Sequence, residues 1–173
     1  MLEELYLVRH AAPDRALKMA YNMLPGPPLT PAGEQEAVQT ARWLACRSVD
    51  HVLTSPFCRA RMTAQAIVDG CDLPLTVVDA LREGGPSETM DQIRARAAEL
   101  LGQIDDSPLR GVALVTHGAV ILALLQHTTN GQINLRGHVY DYGNCAPTAG
   151  IWHGVRGEGG WRWELIFRPT PPS

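Results

Sequence analysis

Short apolar runs alternate with amphipathic stretches along most of this chain, and each apolar run stops at polar or turn-forming residues. The first run, Leu5–Val8, ends abruptly at Arg9 and His10, which is typical of a buried strand that leads into a loop. The pattern predicts strands at 5–8, 49–54, 75–78 and 112–116, helices at 31–46, 55–70, 87–104 and 119–126, and a hairpin of 149–155 with 161–168.

Helix starts are marked by capping residues. Thr30-Pro31 and Ser55-Pro56 each combine an N-cap hydroxyl with a proline at the first helical position. Ser87 is the expected cap of the third helix, and Gly70 is the expected stop of the second.

Strands and helices alternate through four rounds before the terminal hairpin. This order predicts an α/β fold, because parallel strands need crossover connections and helices commonly supply them. We expect a three-layer sandwich with a mainly parallel central sheet flanked by helices and closed by a β-hairpin at the C-terminus. A length of 173 residues fits a single domain over 1–173.

Composition narrows the classes of partner. The net charge of −3 argues against nucleic-acid binding, so any anion site has to be a local cluster of cations. No apolar run approaches the roughly 20 residues that span a membrane. The cysteines have no C-x-x-C spacing, which predicts reduced thiols in a cytoplasmic protein. No metal and no cofactor is expected.

Polar residues follow three of the predicted strands where each strand ends. Arg9 and His10 follow the first, Arg59 comes a few residues after the second, and His117 follows the fourth. Parallel strands place their carboxyl ends on one edge of a sheet, so these four side chains are expected to converge. Two arginines and two histidines beside helix N-termini predict a phosphate site. Arg61 competes with Arg59, and Arg59 is favoured because it lies nearer the helix N-terminus.

A long loop with several prolines, 11–29, follows the first strand. Loops of this length in compact domains usually have a function. Its candidate contacts to the rest of a substrate are Arg15, Lys18, Tyr21 and Asn22, although a solvated surface loop is the alternative for each of them.

The sequence blocks Leu7–His10, Leu29–Gly33, Thr54–Ala64, Leu81–Glu83 and Val115–Gly118 resemble, in this order, the signatures of the histidine phosphatase superfamily, whose members are phosphoglycerate mutase-like. The chain is most similar to the small phosphatase branch. The Asn144–Thr148 segment resembles the late asparagine-containing segment of the same family.

The resemblance implies a role for each matching residue. His10 corresponds to the histidine that attacks phosphorus and becomes phosphohistidine. Arg9, Arg59 and His117 correspond to the groups that bind the phosphoryl oxygens, and Glu83 to the acid that protonates the leaving oxygen. The implied enzyme is a histidine acid phosphatase-type phosphoric monoester hydrolase. As an acid, Glu83 needs either a raised pKa or a proton that arrives with the substrate.

The chain departs from the mutase pattern in two places. Ala11, Ala12 and Pro13 replace the polar residues that follow the mutase histidine, and a short segment separates Glu83 from the next helix. A short segment here predicts a shallow, open pocket. Because mutase chemistry shields its intermediate from water, an open pocket favours hydrolysis.

Several alternatives stay open. The substrate is expected to be either a small phosphorylated metabolite or a phosphohistidine protein. A phosphoglycerate mutase-type transferase and a non-catalytic phosphate-binding domain are alternative functions. A metal hydrolase using His10, Asp14, Glu83 and His117 is disfavoured because adjacent arginines would repel a cation. The oligomeric state is not determined by the sequence.

Overall fold

The computed structural model describes residues 1–170, so the last three residues of the predicted domain lie outside the described residues. The strands are β1 (Glu4–Arg9), β2 (His51–Thr54), β3 (Leu75–Val77), β4 (Gly111–Thr116), β5 (Ile151–Gly157) and β6 (Gly160–Phe167). The helices are α1 (Pro31–Leu44), α2 (Cys58–Cys71), α3 (Met90–Asp105) and α4 (Gly118–Thr128), with short 3₁₀ turns at Asp79–Leu81 and Asp141–Gly143.

The six strands form one sheet in the order β3-β2-β4-β1-β5-β6. The first four strands of this order are parallel, and β5 pairs antiparallel with both β1 and β6. The α/β class, the mainly parallel sheet and the closing hairpin are therefore confirmed. β1 and β4 lie in the centre, where both faces of a strand are covered, which explains their almost uninterrupted apolar sequences.

Alternate residues of β1 face the two opposite helical layers. Leu5 and Leu7 pack in a core with residues of α3 and α4, whereas Tyr6 and Val8 pack in a second core with residues of α1 and α2. This period of two residues is that of a strand with helices on both faces. The predicted three-layer sandwich is therefore confirmed. No helix within residues 1–170 is long and apolar enough to cross a membrane.

Two predicted helix starts are wrong. α2 begins at Cys58, and its N-cap residue Phe57 provides no side-chain cap, because a phenyl ring has no hydrogen-bond acceptor; the Ser55 hydroxyl, the expected cap, lies against His117. α3 is capped by Thr89 rather than Ser87, and Thr89 forms a reciprocal capping box with Gln92. The predicted start of α1 is right: Thr30 Oγ1 accepts a hydrogen bond from the Gly33 backbone N–H at 2.9 Å.

Candidate active site

Three strand ends meet at one edge of the sheet. Arg9 at the end of β1 lies opposite Thr116 at the end of β4, so His10 and His117 follow at neighbouring positions, with ring centroids 5.2 Å apart. Arg59 lies in the first turn of α2, after β2. The structure thus brings the four predicted residues together, with exposed fractions of 2% for Arg9, 1% for His10, and 0% for Arg59 and His117. The competing Arg61 is exposed.

The His10 imidazole has one nitrogen committed and one available. Nδ1 lies 2.8 Å from the carbonyl oxygen of Ala11, an acceptor, so Nδ1 carries the proton and Nε2 keeps its lone pair. Burial, followed by the charges of His117 and Arg59, holds the pKa of His10 well below its ordinary value. His10 is therefore neutral at physiological pH, and its unprotonated Nε2 can act as a nucleophile.

Ser55 fixes the orientation of His117. The Ser55 hydroxyl oxygen accepts a hydrogen bond from the Phe57 backbone N–H at 3.2 Å and lies 2.7 Å from His117 Nε2. In a neutral His117 the hydroxyl hydrogen is thus available to donate to Nε2, whereas Nδ1 lies 3.2 Å from the acceptor Glu83 Oε2 and 3.3 Å from the donor Arg59 Nη2. Burial lowers the pKa of His117 and favours this neutral form, although the neighbouring carboxylate Glu83 opposes the shift.

Glu83 reaches the cluster from the segment after the first 3₁₀ turn. Thr116 Oγ1 anchors this segment by donating to the Leu81 carbonyl at 2.7 Å. Glu83 Oε2 accepts a hydrogen bond from Arg59 Nη2 at 3.1 Å and lies 3.2 Å from His117 Nδ1. The carboxylate therefore contacts one predicted phosphate-binding arginine and one predicted phosphate-binding histidine.

The pKa of Glu83 argues against one of the two expected ways in which Glu83 could act as an acid. Burial raises the pKa of Glu83, but the hydrogen bond with His117 and the charge of Arg59 outweigh burial and hold the pKa below its ordinary value. A raised pKa in the free protein is therefore wrong, because the nearby donors stabilise the carboxylate. A proton that arrives with the substrate is the route left.

The structure separates the four candidates of the 11–29 loop into two pairs. The Tyr21 hydroxyl lies 3.4 Å from His10 Nε2, and its ring covers the Arg59 guanidinium, with the guanidinium carbon 3.9 Å from the ring centroid. The Arg15 guanidinium carbon lies 4.2 Å from the same centroid. Lys18 and Asn22 are exposed, and within residues 1–170 their side chains form no hydrogen bond or ion pair.

The expected open pocket is wrong for this structure. Tyr21 lies over His10 and Arg59, and the two side chains beneath it are almost fully buried. The sequence expectation considered only the short segment after Glu83, whereas the cover comes from the 11–29 loop.

Asp141 is a site residue that the sequence did not reveal. Its carboxylate accepts two hydrogen bonds from Arg9, from Nη1 at 2.6 Å and from Nη2 at 2.8 Å. The residue belongs to an irregular segment rather than to a strand end, so no periodic pattern points to it. Burial of Arg9 was the available signal, since a buried guanidinium requires an acceptor.

The three titratable groups at the centre also have the residue types of a metal site. His10, Glu83 and His117 each offer one ligand atom, and these atoms lie within 4.8 Å of one another. Arg59, however, donates a hydrogen bond directly to Glu83. A divalent cation bound to this carboxylate would lie beside a guanidinium, and this repulsion disfavours metal binding.

Comparisons with known proteins agree with the geometry. The chain matches the family described as histidine phosphatase superfamily (branch 1) over residues 5–86 and 84–164. It is 29% identical over 153 residues to the uncharacterized phosphatase PhoE of Bacillus subtilis, covering 75% of this chain and 79% of the relative. It is 31% identical over 80 residues to the probable phosphoglycerate mutase GpmB of Cronobacter sakazakii, covering 46% of this chain and 37% of that protein.

Solved structures share the fold at low sequence identity. A putative alpha-ribazole-5'-P phosphatase from Escherichia coli superposes with a TM-score of 0.79 at 15% identity, covering 100% of both chains. The putative phosphohistidine phosphatase SixA from Agrobacterium tumefaciens gives a TM-score of 0.71 at 23% identity, covering 99% of both chains. The family match spans most of the sequence and includes the strand-end residues described above. The chain is therefore an enzyme of the histidine phosphatase superfamily, in its branch 1.

Proposed function

We propose that this enzyme, a phosphatase, hydrolyses small phosphate monoesters through a phosphohistidine formed on His10. One observation carries the proposal: a neutral imidazole nitrogen lies among buried cations that have unused hydrogen-bond donors. Within residues 1–170, the Nε–H groups of Arg9 and Arg59 are the buried side-chain polar groups without a partner. A buried donor without an acceptor is costly, and phosphoryl oxygens would supply the acceptors.

Transfer begins at His10 Nε2. The nitrogen lone pair attacks phosphorus, an N–P bond forms, and the bond between phosphorus and the ester oxygen breaks. Because the imidazole is neutral, it approaches an anionic phosphoryl group without charge repulsion. The Tyr21 hydroxyl, at 3.4 Å from Nε2, has to move away first, so the 11–29 loop opens for substrate entry.

Arg9, Arg59 and His117 bind the phosphoryl oxygens. Charge spreads over these oxygens in the transition state, and the two fixed guanidinium cations, which need no reorganisation, stabilise it. Glu83 contacts both Arg59 and His117, so a phosphoryl group that binds them comes close to the carboxylate.

Glu83 is the proposed proton carrier. A phosphate monoester has a second pKa of about 6, so its monoanion can bring the proton that the leaving oxygen needs. Repulsion between the bound phosphoryl group and the ionised Glu83 favours transfer of this proton to the carboxylate. Glu83 then donates it to the leaving oxygen and later accepts a proton from the water that cleaves the N–P bond.

Hydrolysis is favoured over mutase-type transfer. An open pocket no longer supports this preference, since the site is covered. The support comes from the short connection between Glu83 and α3, which begins at Met90. The chain also aligns with 79% of the length of the relative named as a phosphatase, but with only 37% of the length of the relative named as a mutase.

Around the reacting group, Tyr21 and Arg15 are the proposed contacts to the rest of the substrate, because Tyr21 lies over His10 and Arg59 and Arg15 stacks on Tyr21. Lys18 and Asn22 are proposed as outer contacts after the loop moves. We place the enzyme in the cytoplasm, and the four free thiols of Cys46, Cys58, Cys71 and Cys145 support a reducing compartment.

A substrate screen tests the function. Phosphate release is measured from p-nitrophenyl phosphate, sugar phosphates, nucleoside monophosphates, phosphoglycerates and a phosphohistidine protein, with EDTA in parallel. We expect release from small monoesters that EDTA does not affect and that vanadate blocks. Preferred turnover of the phosphohistidine protein would contradict the assignment to small monoesters, and loss of activity in EDTA would favour the metal hydrolase. Interconversion of phosphoglycerates with little phosphate release would favour the mutase.

The pH profile is expected to be that of an acid phosphatase. Since burial keeps the pKa of His10 well below 6.5, the imidazole stays neutral as the pH falls through that value. The substrate monoanion, which brings the proton, becomes more abundant between about pH 7 and pH 5. We therefore expect kcat/KM for a monoester to rise over this range and to fall only at more acidic pH. If activity instead fell as the pH was lowered, with a midpoint at the ordinary pKa of histidine, this would contradict a buried, neutral His10.

A further inference from the structure

Only some of the N–H donors of the Arg9 guanidinium have partners. An arginine has five N–H donors. Asp141 accepts from Nη1 and Nη2, at 2.6 and 2.8 Å, and the Ala146 carbonyl accepts the remaining hydrogen of Nη1 at 2.8 Å. Two donors are left, the Nε–H and the second hydrogen of Nη2.

These two free donors share one edge of the planar guanidinium. Asp141 binds the edge that Nη1 and Nη2 form. The two free donors lie on the other edge, which Nε and Nη2 form. Both edges can hold two oxygens of an anion in parallel hydrogen bonds. Arg9 can therefore keep Asp141 and bind a phosphoryl group at the same time, and the Nε–H is the buried donor that has no partner.

Asp141 is held in place by its own turn. Tyr142 and Gly143 have φ values of 54° and 75°, a left-handed conformation that turns the chain sharply. The Asn144 side-chain Nδ2 donates to the Asp141 carbonyl at 2.8 Å. Asn144 packs on Gly118 so closely that a Cβ at Gly118 would overlap its side chain. The turn is thus fixed against the start of α4, one residue from His117.

The same turn contacts the loop that covers His10. The Arg15 guanidinium carbon lies 4.2 Å from the ring centroid of Tyr142 and 4.2 Å from that of Tyr21. Tyr21 in turn lies over Arg59. The segment that carries Asp141 is therefore supported from both sides: its own Asn144 packs against Gly118 of α4, and Arg15 of the 11–29 loop contacts Tyr142.

We infer that Asp141 is a positioning residue for phosphate binding: it holds the end of Arg9 so that the Nε edge faces the phosphoryl oxygens. This inference rests on the proposed function for the identity of the bound group. A guanidinium fixed in one orientation loses less freedom when the anion binds, so the same hydrogen bonds give tighter binding. Without Asp141, Arg9 would rotate and share its donors among other acceptors.

Asp141→Asn tests the inference, because it removes the charge and one acceptor while keeping the shape of the side chain. Inorganic phosphate is titrated into the wild type and the variant by calorimetry, without turnover. We expect the phosphate dissociation constant to rise about tenfold, as for the loss of a hydrogen bond to a charged group. Glu158→Gln is the matched control. It removes one negative charge at an exposed position in the hairpin turn and should leave binding unchanged.

Two further readouts separate positioning from a merely structural role. In arginine-labelled protein, phosphate should slow the exchange of the Arg9 Nε–H in the wild type but much less in Asp141→Asn. Asp141→Glu, which restores the carboxylate on a longer arm, should recover part of the phosphate affinity. The melting temperature of each variant shows whether the fold is kept.

Tighter phosphate binding by Asp141→Asn would overturn the inference, because Asp141 would then compete with phosphate for Arg9. Unchanged binding with a lower melting temperature would also overturn it, since Asp141 would then only anchor the turn. If the wild type binds phosphate but turns over no phosphorylated substrate, the proposed function fails, whereas the binding titration still decides the role of Asp141.

Discussion

Replacing His10 with alanine is expected to abolish phosphate release, lowering kcat by at least about 10⁴-fold, because the variant lacks the imidazole on which the proposed covalent intermediate forms. Neutral His10 offers Nε2 as the attacking atom, and its Nδ1 is committed to the Ala11 carbonyl. The measurement is steady-state release from a small monoester, together with rapid acid-free quenching of enzyme incubated with ³²P-labelled substrate. Label should stay on the wild-type chain and be absent from the variant.

His127→Ala provides the matched control. His127 is exposed at the end of α4, so this variant should keep both turnover and labelling. Turnover by His10→Ala close to the wild-type rate would exclude the phosphohistidine. A wild-type chain that binds phosphate but shows neither release nor label would instead point to a non-catalytic phosphate-binding domain.

Replacing Glu83 with glutamine is the second large effect, and its size is expected to depend on the leaving group. Without a proton donor, an alkoxide must leave unprotonated, so hydrolysis of a sugar phosphate should slow by about 10²–10⁴-fold. A nitrophenolate leaves readily as an anion, so p-nitrophenyl phosphate should be affected much less. The measurement is the ratio of kcat values for the two substrates in the wild type and in Glu83→Gln.

This ratio distinguishes acid catalysis from a structural role. Glu83 also contacts Arg59 and His117, so misplacement of those groups in the variant would slow both substrates equally. An equal loss would therefore contradict the role of Glu83 as the acid. Glu99→Gln, on the exposed face of α3, serves as the control and should leave the ratio unchanged.

The cations of the site are already partly neutralised before substrate binds. Asp141 pairs with Arg9, and Glu83 contacts Arg59. Removal of unpaired charges from water is costly, so each buried guanidinium needs an acceptor in the free enzyme. The hydrogen bond from Arg9, partly offset by burial, holds the pKa of Asp141 below its ordinary value, so the carboxylate remains an anion beside the proposed phosphoryl site.

Local sequence patterns predicted the elements better than their ends. The strand at Val112–Thr116 and the cap at Thr30 depend on nearby residues alone, and both are found within one residue of the expected positions. The predicted start of α2 was wrong: the Ser55 hydroxyl accepts from the Phe57 backbone N–H just before the helix and contacts His117, which lies 62 residues further along the chain. A hydroxyl that suits a cap by local rules can instead form a hydrogen bond with a buried polar side chain from a distant part of the chain.

The sequence by itself determined the α/β fold and the convergence of Arg9, His10, Arg59 and His117, because strand periodicity and parallel crossovers place strand ends on one edge. Only the tertiary structure decided the Asp141 partner of Arg9, the Tyr21 cover over His10, and the ionised state of Glu83. These features depend on irregular segments brought together across the fold. Their contacts and burial are set by three-dimensional packing, which leaves no periodic signal along the chain.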